Sequence, residues 1–434
     1  MTVIPAVKSI NFRLWFSICL TAFFPAVYST TRIYFLSALP DTWSVSIAAQ
    51  AAWLHLIYEV LQEAFILPLY FVLGQVIENK PALRERFLFA LAITLSVFLV
   101  LTVLVLFFAE PMVSGMSQIS ELQQITVEYI RLEAIAIMIN VLNDVCTVVV
   151  VLFALQRVIL ILLLIRAALT IGFDAFFVGQ FSFSLNVGVL GVAWTNISVG
   201  LGMVVPFLII LYRLRILVPV LLKLRVSWLR EWFAVASRSG LESAARNLAF
   251  SLMILRLVNE VKEAGLFWVT NGFIWTWVLL PVLALGTLVR QDVAVSKGVI
   301  KERFRGYLLI VSAIVLVWFA TVPGWEWFIR TVMGFDDSHR AFELAFVMLG
   351  FYVVFAYNHV IDSYFYGMGR TDLMLYQSLL VSVFYYGAAF IAYWHGAFMP
   401  TLTGLALLFG GGIVADSAIT FWQFRRAQYP KSIS

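Results

Sequence analysis

Apolar residues along this chain gather in long runs separated by short charged segments. Twelve runs are long enough to cross a hydrocarbon layer of roughly 30 Å as helices. In the first half they are Leu14–Thr31, Val45–Gly74, Phe87–Ala109, Ile125–Leu155, Val158–Phe181 and Val187–Tyr212. The second half supplies Trp232–Val258, Ala264–Val289, Tyr307–Ile329, Ala341–Tyr366, Leu373–Trp394 and Thr401–Phe424. The runs from Val45 and Ile125 exceed about 20 residues, so they should tilt, bend or project beyond the bilayer. Pro25, Pro68, Pro206 and Pro281 fall inside runs and mark bends. The pattern predicts an all-α membrane protein of twelve transmembrane helices.

The two halves resemble each other. Trp15-Phe16 recurs as Trp232-Phe233, and Arg84-Glu85-Arg86-Phe87 recurs as Lys301-Glu302-Arg303-Phe304, each pair 217 positions apart. Gly188-Val-Leu-Gly191 returns near that spacing as Gly404-Leu-Ala406. Between the halves lies Arg213–Arg230, with Arg213, Arg215, Lys223, Arg225, Arg230 and no acid. A duplicated unit follows: a six-helix lobe over 1–212, a basic cytoplasmic linker over 213–230 and a second, pseudo-symmetric six-helix lobe over 231–434.

Lys and Arg in the short loops set the orientation. Lys80, Arg84, Arg86, Arg157, the linker, Arg290, Lys297, Lys301, Arg303, Arg305 and Arg370 fall on one side, with Arg425, Arg426 and Lys431 of the tail. The opposite loops hold Asp41, Glu110, Glu121, Glu260, Glu263, Glu326, Asp336 and Asp337. Both termini are expected to be cytoplasmic, in a cytoplasmic (inner or plasma) membrane. Lys8 and Arg13 precede a first run without a small-residue cleavage pattern, so that run should remain as a signal-anchor.

Composition agrees with the pattern. Hydrophobic residues make up 62% of the 434 and charged residues 12%, with a mean hydropathy of +0.96. A soluble core of this length cannot hide so much apolar surface. The net charge of +5 is then topological and calls for no nucleic-acid partner. Cys19 and Cys146 both sit in apolar runs and support neither a disulfide framework nor a zinc site.

Ionisable residues inside the runs are the candidate chemistry, since each costs ~2.5–3.5 kcal/mol at mid-depth unless it faces protein or water. His55, Glu59 and Glu63 recur every four residues on one helix face. Two carboxylates so close repel one another, and a bound cation relieves the repulsion; lining a wet cavity or pairing with Arg is the structural alternative. Asp144 and Arg166 flank the hairpin around Gln156 at nearly one depth, which predicts a buried ion pair. Asn140, Thr170 and Asp174 extend those faces. In the second half Glu242 and Arg246 are spaced for an intrahelical pair. His359 and Asp362 fall near the cytoplasmic end of the tenth run, where a solvated interface is expected. Asp416, behind Gly410-Gly411-Gly412, stands as a lone acid.

The chain resembles the multidrug and toxic compound extrusion (MATE) family of the flippase-like superfamily. The resemblance is carried by the twelve-run layout and by Gly367-Met-Gly369-Arg370-Thr371 after the tenth run. Asn186-Val-Gly188-Val-Leu-Gly191-Val-Ala193, the amphiphilic segment Gln75–Phe87 and Pro25 add to it. It implies two six-helix lobes in a V, a central cavity, and export in exchange for Na⁺ or H⁺. The acid that many members carry in the first run is absent from Leu20–Thr31. The positions of the other usual coupling acids fall at Phe250 and near Phe355. The first-half cluster is therefore the better place for coupling.

Substrate chemistry is faintly written. Trp268, Trp275 and Trp277 in the eighth run, with a few acids, suit an amphipathic organic cation, unless they face lipid. Arg166, Arg246 and Arg256 suit an anionic or lipid-linked substrate, which keeps a flippase as the alternative. Paired aspartate motifs, a His-Glu-x-x-His helix and a Gly-rich phosphate loop are all missing from the sequence. An enzyme, a metal centre and a cofactor are accordingly not expected; the expected reading is a monomeric cation antiporter exporting an amphipathic compound.

Overall fold

A computed structural model describes residues 10–153, 155–217, 227–295 and 299–428. Among these residues the secondary structure is entirely helical, with a helix at each of the twelve predicted positions. We number them α1 (Phe12–Ser37), α2 (Ser44–Gly74), α3 (Lys80–Gly115), α4 (Ser120–Leu152), α5 (Gln156–Phe177) and α6 (Leu190–Arg213). The second half gives α7 (Ser227–Phe250, continued by Ser251–Leu255 and Arg256–Glu260) and α8 (Ala264–Val278 with Leu280–Val293). Then come α9 (Arg303–Val332), α10 (Ser338–Gly367), α11 (Asp372–Trp394) and α12 (Leu402–Arg426).

Ten of these are long and apolar enough to cross a membrane, and α8 makes an eleventh when its halves are joined. The chain is a multi-pass membrane protein. The 53° bend of α8 falls beside Pro281, which removes a ladder hydrogen bond and crowds the preceding turn. Helix α7 falls short of the apolar standard because Arg230, Glu231, Arg238, Glu242 and Arg246 lie along it. The middle of the expected basic linker, with Lys223 and Arg225, lies outside the described residues.

By its own packing the chain divides into two compact units, one of residues 31–265 and the other of residues 1–30 with 266–434. These do not coincide with the halves of the chain. In the first unit α7 packs with α2: the Trp232 indole donates to the Phe65 carbonyl at 3.2 Å, and Asn247 donates to the Leu56 carbonyl at 3.0 Å. Gly240 allows the approach, since a Cβ there would lie 2.9 Å from Ala64 Cβ. Gln50 of α2 and Asn259 of α7 exchange two amide hydrogen bonds at 2.7 and 2.9 Å. In the second unit Trp15 of α1 donates to the Pro281 carbonyl of α8 at 3.1 Å, and Trp277 of α8 donates to Thr30 Oγ1 at 2.8 Å. The repeated Trp-Phe dipeptides thus do equivalent work, each indole tying the first helix of one half to the second helix of the other.

Close helix approach depends on small residues, as expected where neither side gains by leaving lipid. Helix α6 meets α4 at Gly200, whose added Cβ would stand 2.9 Å from Ile139 Cγ2, and the Gly200 carbonyl accepts from Asn143 Nδ2 at 2.9 Å. On α12, Gly410, Gly411 and Gly412 leave room for Phe351, Tyr385 and Tyr386. The Tyr385 hydroxyl reaches past Gly411 to the Leu408 carbonyl at 2.9 Å.

Gly411→Ala should therefore lower thermal stability in detergent by about 1–3 kcal/mol, because the tyrosine must move and give up that bond. Gly350→Ala on α10, where a Cβ meets nothing within 4 Å, should be neutral or gain up to about 1 kcal/mol from helix propensity. Melting curves of the two variants beside the parent check the contrast.

Candidate functional site

Two of the three residues predicted to share a face of α2, Glu59 and Glu63, meet α7. Arg246 donates through Nη1 to Glu242 at 2.7 Å and through Nη2 to Glu63 at 3.0 Å and Glu59 at 3.5 Å. Asn247 Nδ2 adds a bond to Glu59 Oε2 at 3.2 Å. Three carboxylates thus gather around one guanidinium. The intrahelical Glu242–Arg246 pair expected from spacing is one edge of the group. Its other members come from a helix more than 180 positions away. Glu63 sits in a π-helical turn, Gln62–Ile66, and a second such turn, Ser251–Leu255, follows Arg246 on α7. Wide turns of this kind recur at functional sites, because they re-aim side chains that regular spacing would stack.

This cluster is accessible. The Arg246 side chain is 40% accessible, Glu59 38% and Glu63 26%, although apolar helices surround them. Charged groups at mid-helix positions are tolerated in a membrane where they pair with one another or reach water. With all three acids ionised the group carries an excess of negative charge, so a small cation or a cationic substrate is attracted to it.

His55 leaves its neighbours on the α2 face and points to α4, where Nε2 lies 3.2 Å from Glu133 Oε1. Asn196 of α6 donates to both Glu133 oxygens at 2.8 and 3.0 Å. Beside them Arg32 of α1 grips Asp174 of α5, Nε to Oδ2 at 2.9 Å and Nη2 to Oδ1 at 3.3 Å, and Asp174 is buried. Glu133 and Arg32 escaped the sequence reading. Both were visible as ionisable residues within or beside apolar runs, but neither had a partner at helical spacing to single it out.

Three expectations are corrected here. No ion pair joins Asp144 to Arg166, although Arg166 lies within electrostatic reach of it. A hairpin matches two residues in height but not in rotation about their axes, and Asp174, two turns beyond Arg166, takes the arginine from α1 instead. In the other unit His359 is buried and Asp362 is ringed by hydrogen bonds, so neither sits at a solvated interface. Asp416 is no lone acid: it and Asp362 share one donor, Asn358 Nδ2, at 3.3 and 2.9 Å.

The aromatic residues of α8 serve different ends. Trp277 lines an apolar cavity of about 960 Å³ together with Trp15, Trp318, Trp325 and Phe328, and no acid lines it. Trp275 turns away and donates to Tyr352 Oη at 3.1 Å. The glycine motifs are structural as well. Gly188 holds a φ of +69° at the entry to α6, and Gly367 lets the end of α10 lie against the Arg290 carbonyl, 2.7 Å from where its Cβ would be.

No protein-family profile matches the chain, and no curated protein sequence does. Solved structures match over nearly its whole length. An inward-facing multidrug-resistance MATE transporter of the MOP superfamily superposes with a TM-score of 0.73 at 17% identity, covering 94% of this chain and 96% of that one. An outward-facing MATE transporter of the same superfamily gives 0.68 at 17% identity over 100% of both chains. A MOP superfamily transporter from Pyrococcus furiosus, described by the reverse polarity of its binding pocket, gives 0.68 at 18% identity over 96% and 95%. The fold is that of the MATE transporters.

The Arg32–Asp174 pair makes a direct test of this geometry. Asp174→Asn or Arg32→Met alone should each cost about 3–5 kcal/mol of stability by stranding a buried charge, and the double variant should cost less than the two singles together. Asp144→Asn and Arg166→Met, which make no ion pair, should show a smaller coupling than the Arg32–Asp174 cycle. Melting temperatures of both double-mutant cycles decide it.

Proposed function

We propose that this protein is a secondary active transporter that exports amphipathic organic compounds from the cytoplasm in exchange for H⁺ or Na⁺. The observation that carries the reading is the accessible group of Glu59, Glu63 and Glu242 about Arg246, in mid-helix on α2 and α7. The fold shared with MATE transporters supports it, as does a chain built almost wholly of membrane helices.

The chemistry is a competition for carboxylates. Arg246 neutralises part of the acidic group, and an arriving cation takes up the remainder. An organic cation and a coupling ion need not bind together: each can satisfy the same excess charge, which is what exchange requires. Coupling follows if the cluster holds the ion more tightly in one orientation of the helices than in the other, since a ligand shifts an equilibrium only by its differential affinity. Export from the cytoplasm in a cytoplasmic membrane, with both termini inside, belongs to the same proposal. So does the absence of catalytic turnover.

An anionic or lipid-linked substrate is the second reading, and the exposure of Arg246 favours it: a guanidinium 40% accessible can meet a phosphate or carboxylate directly. The reverse polarity of the binding pocket described for the Pyrococcus furiosus transporter of the same fold supports this second reading.

Gradient-driven dye efflux from proteoliposomes, with Na⁺ and pH gradients imposed separately, tests both readings. Glu59→Gln and Glu63→Gln should insert at parental levels and lose most gradient-driven flux. Parental flux in both singles and the double would remove the cluster from the mechanism. Flux of an anionic lipid analogue, lost on Arg246→Gln, would select the flippase reading.

A further inference from the structure

The apolar cavity beside Trp277 has a counterpart in the other unit. There a hollow of about 580 Å³ opens between α2, α3 and α7, within residues 31–265. Leu56 and Val60 of α2 line it, with Val97 and Leu101 of α3. The residues 217 positions further on, Phe273, Trp277, Ile314 and Trp318, line the cavity of the second unit. That is the offset of the repeated Trp-Phe dipeptides, so one hollow recurs in each repeat although none of these four side chains does. Both hollows are open at the side. Val100 and Leu248 at the first are each 61% exposed, and Val317 at the second is 59% exposed. A lining this apolar does not hold water, and in a bilayer its natural filling is hydrocarbon.

Two features select the occupant of the first hollow. One is depth. Its lining runs from Trp53 to Leu61 along α2 and from Ala244 to Leu252 along α7. Each stretch rises about 12 Å at 1.5 Å per residue, close to one leaflet of a hydrocarbon core of roughly 30 Å. A second copy of the chain, docking through a helix, needs a seam along the whole span; an acyl chain needs one leaflet. The other feature is a cation at the mouth. Arg256 follows Leu252 by four positions, and its Nε donates at 3.1 Å to the carbonyl of Gly115, the neighbour of the lining residue Met116. Helix α3 ends at Gly115, so this is the end of the hollow nearest the lipid head groups. Among the described residues no acid pairs with Arg256, which leaves its two Nη groups for an oxyanion. A guanidinium fork matches a phosphate, and basic sites between membrane helices hold anionic head groups. The residue 217 positions before Arg256 is Leu39, so the repeat does not supply this cation twice.

We propose that the hollow between α2, α3 and α7 binds an acidic phospholipid of the surrounding bilayer, with an acyl chain along Val60, Leu101 and Leu248 and the phosphate on Arg256. The counterpart hollow takes hydrocarbon chains without regard to head group. The lipid site stands apart from the exchange at Glu59 and Glu63. The wall they share is Asn247, which lines the hollow and donates to Glu59.

Binding is read without transport, so this proposal and the transport reading can fail separately. The full chain, delipidated in detergent, is titrated with phosphatidylglycerol or phosphatidylcholine of identical chains. Lipid adducts in native mass spectra and melting temperature are followed. The expected result is saturable binding, with phosphatidylglycerol held at least about fivefold more tightly. Arg256→Gln should erase that preference and keep the binding of chains. Val100→Trp, which fills the hollow from an exposed position and serves if Arg256→Gln does not fold, should weaken both lipids by about tenfold. Val317→Trp in the counterpart hollow should leave the preference as in the parent. The proposal is overturned if the parent holds both lipids equally, if the preference survives Arg256→Gln, or if Val100→Trp binds both lipids as the parent does. It is also overturned if glycerol phosphate without chains stabilises as well as the lipid, or if Val100→Trp instead dissociates a dimer of the chain.

Discussion

An ionised side chain among hydrocarbon tails has nowhere to put its field, and that cost organises this molecule. Helix α7 shows it most directly. With five charged residues in its first 24 it is the least lipid-compatible of the twelve helices, and it is stable in a membrane only where its charges find partners or water. Those partners are on α2, where Glu59 and Glu63 carry the opposite requirement. Each helix relieves the penalty of the other, and the contact then recruits the rest: the Trp232 and Asn247 bonds to the α2 backbone, and the reciprocal Gln50–Asn259 amides further along. The packing unit follows the charges and includes α7 of the second half of the chain.

The two units solve the same electrostatic problem with different chemistry. In the unit of α2 to α7, carboxylates meet guanidinium groups, Asp174 with Arg32 and the three glutamates with Arg246. In the other unit, Asp362 and Asp416 are met by neutral amides and a hydroxyl. A guanidinium fixed to the chain neutralises permanently, whereas an amide contributes only a dipole and can present either of its ends. The same helices stay close because their contact residues are small, with Gly200 and the Gly410–Gly412 run supplying the space.

Much of the scaffold was legible along the chain. Hydrophobic runs located all twelve helices, because the length of an apolar segment is a local property that the bilayer reads directly. Pro281 marked the bend of α8, and the spacing of Glu242 and Arg246 announced their bond, since residues four apart on a helix are neighbours by construction. The repeated Trp-Phe dipeptides pointed to equivalent positions, though not to the exchange of first helices that their indoles fasten. The face of His55, Glu59 and Glu63 was also readable. That it divides, His55 going to Glu133 and the glutamates to Arg246, was not.

What the tertiary structure alone decided is which helix faces meet. Arg32 reaches Asp174 across 142 positions, and Asp416 joins Asp362 across α11. Asp144 and Arg166, matched in depth, remain unjoined. Sequence fixes a residue's height on its helix through the 1.5 Å rise, and its bearing relative to its own neighbours through the 3.6-residue turn. The rotation of one helix against another is set by every side chain at their contact at once. Ion pairs between helices exist only after that rotation is fixed.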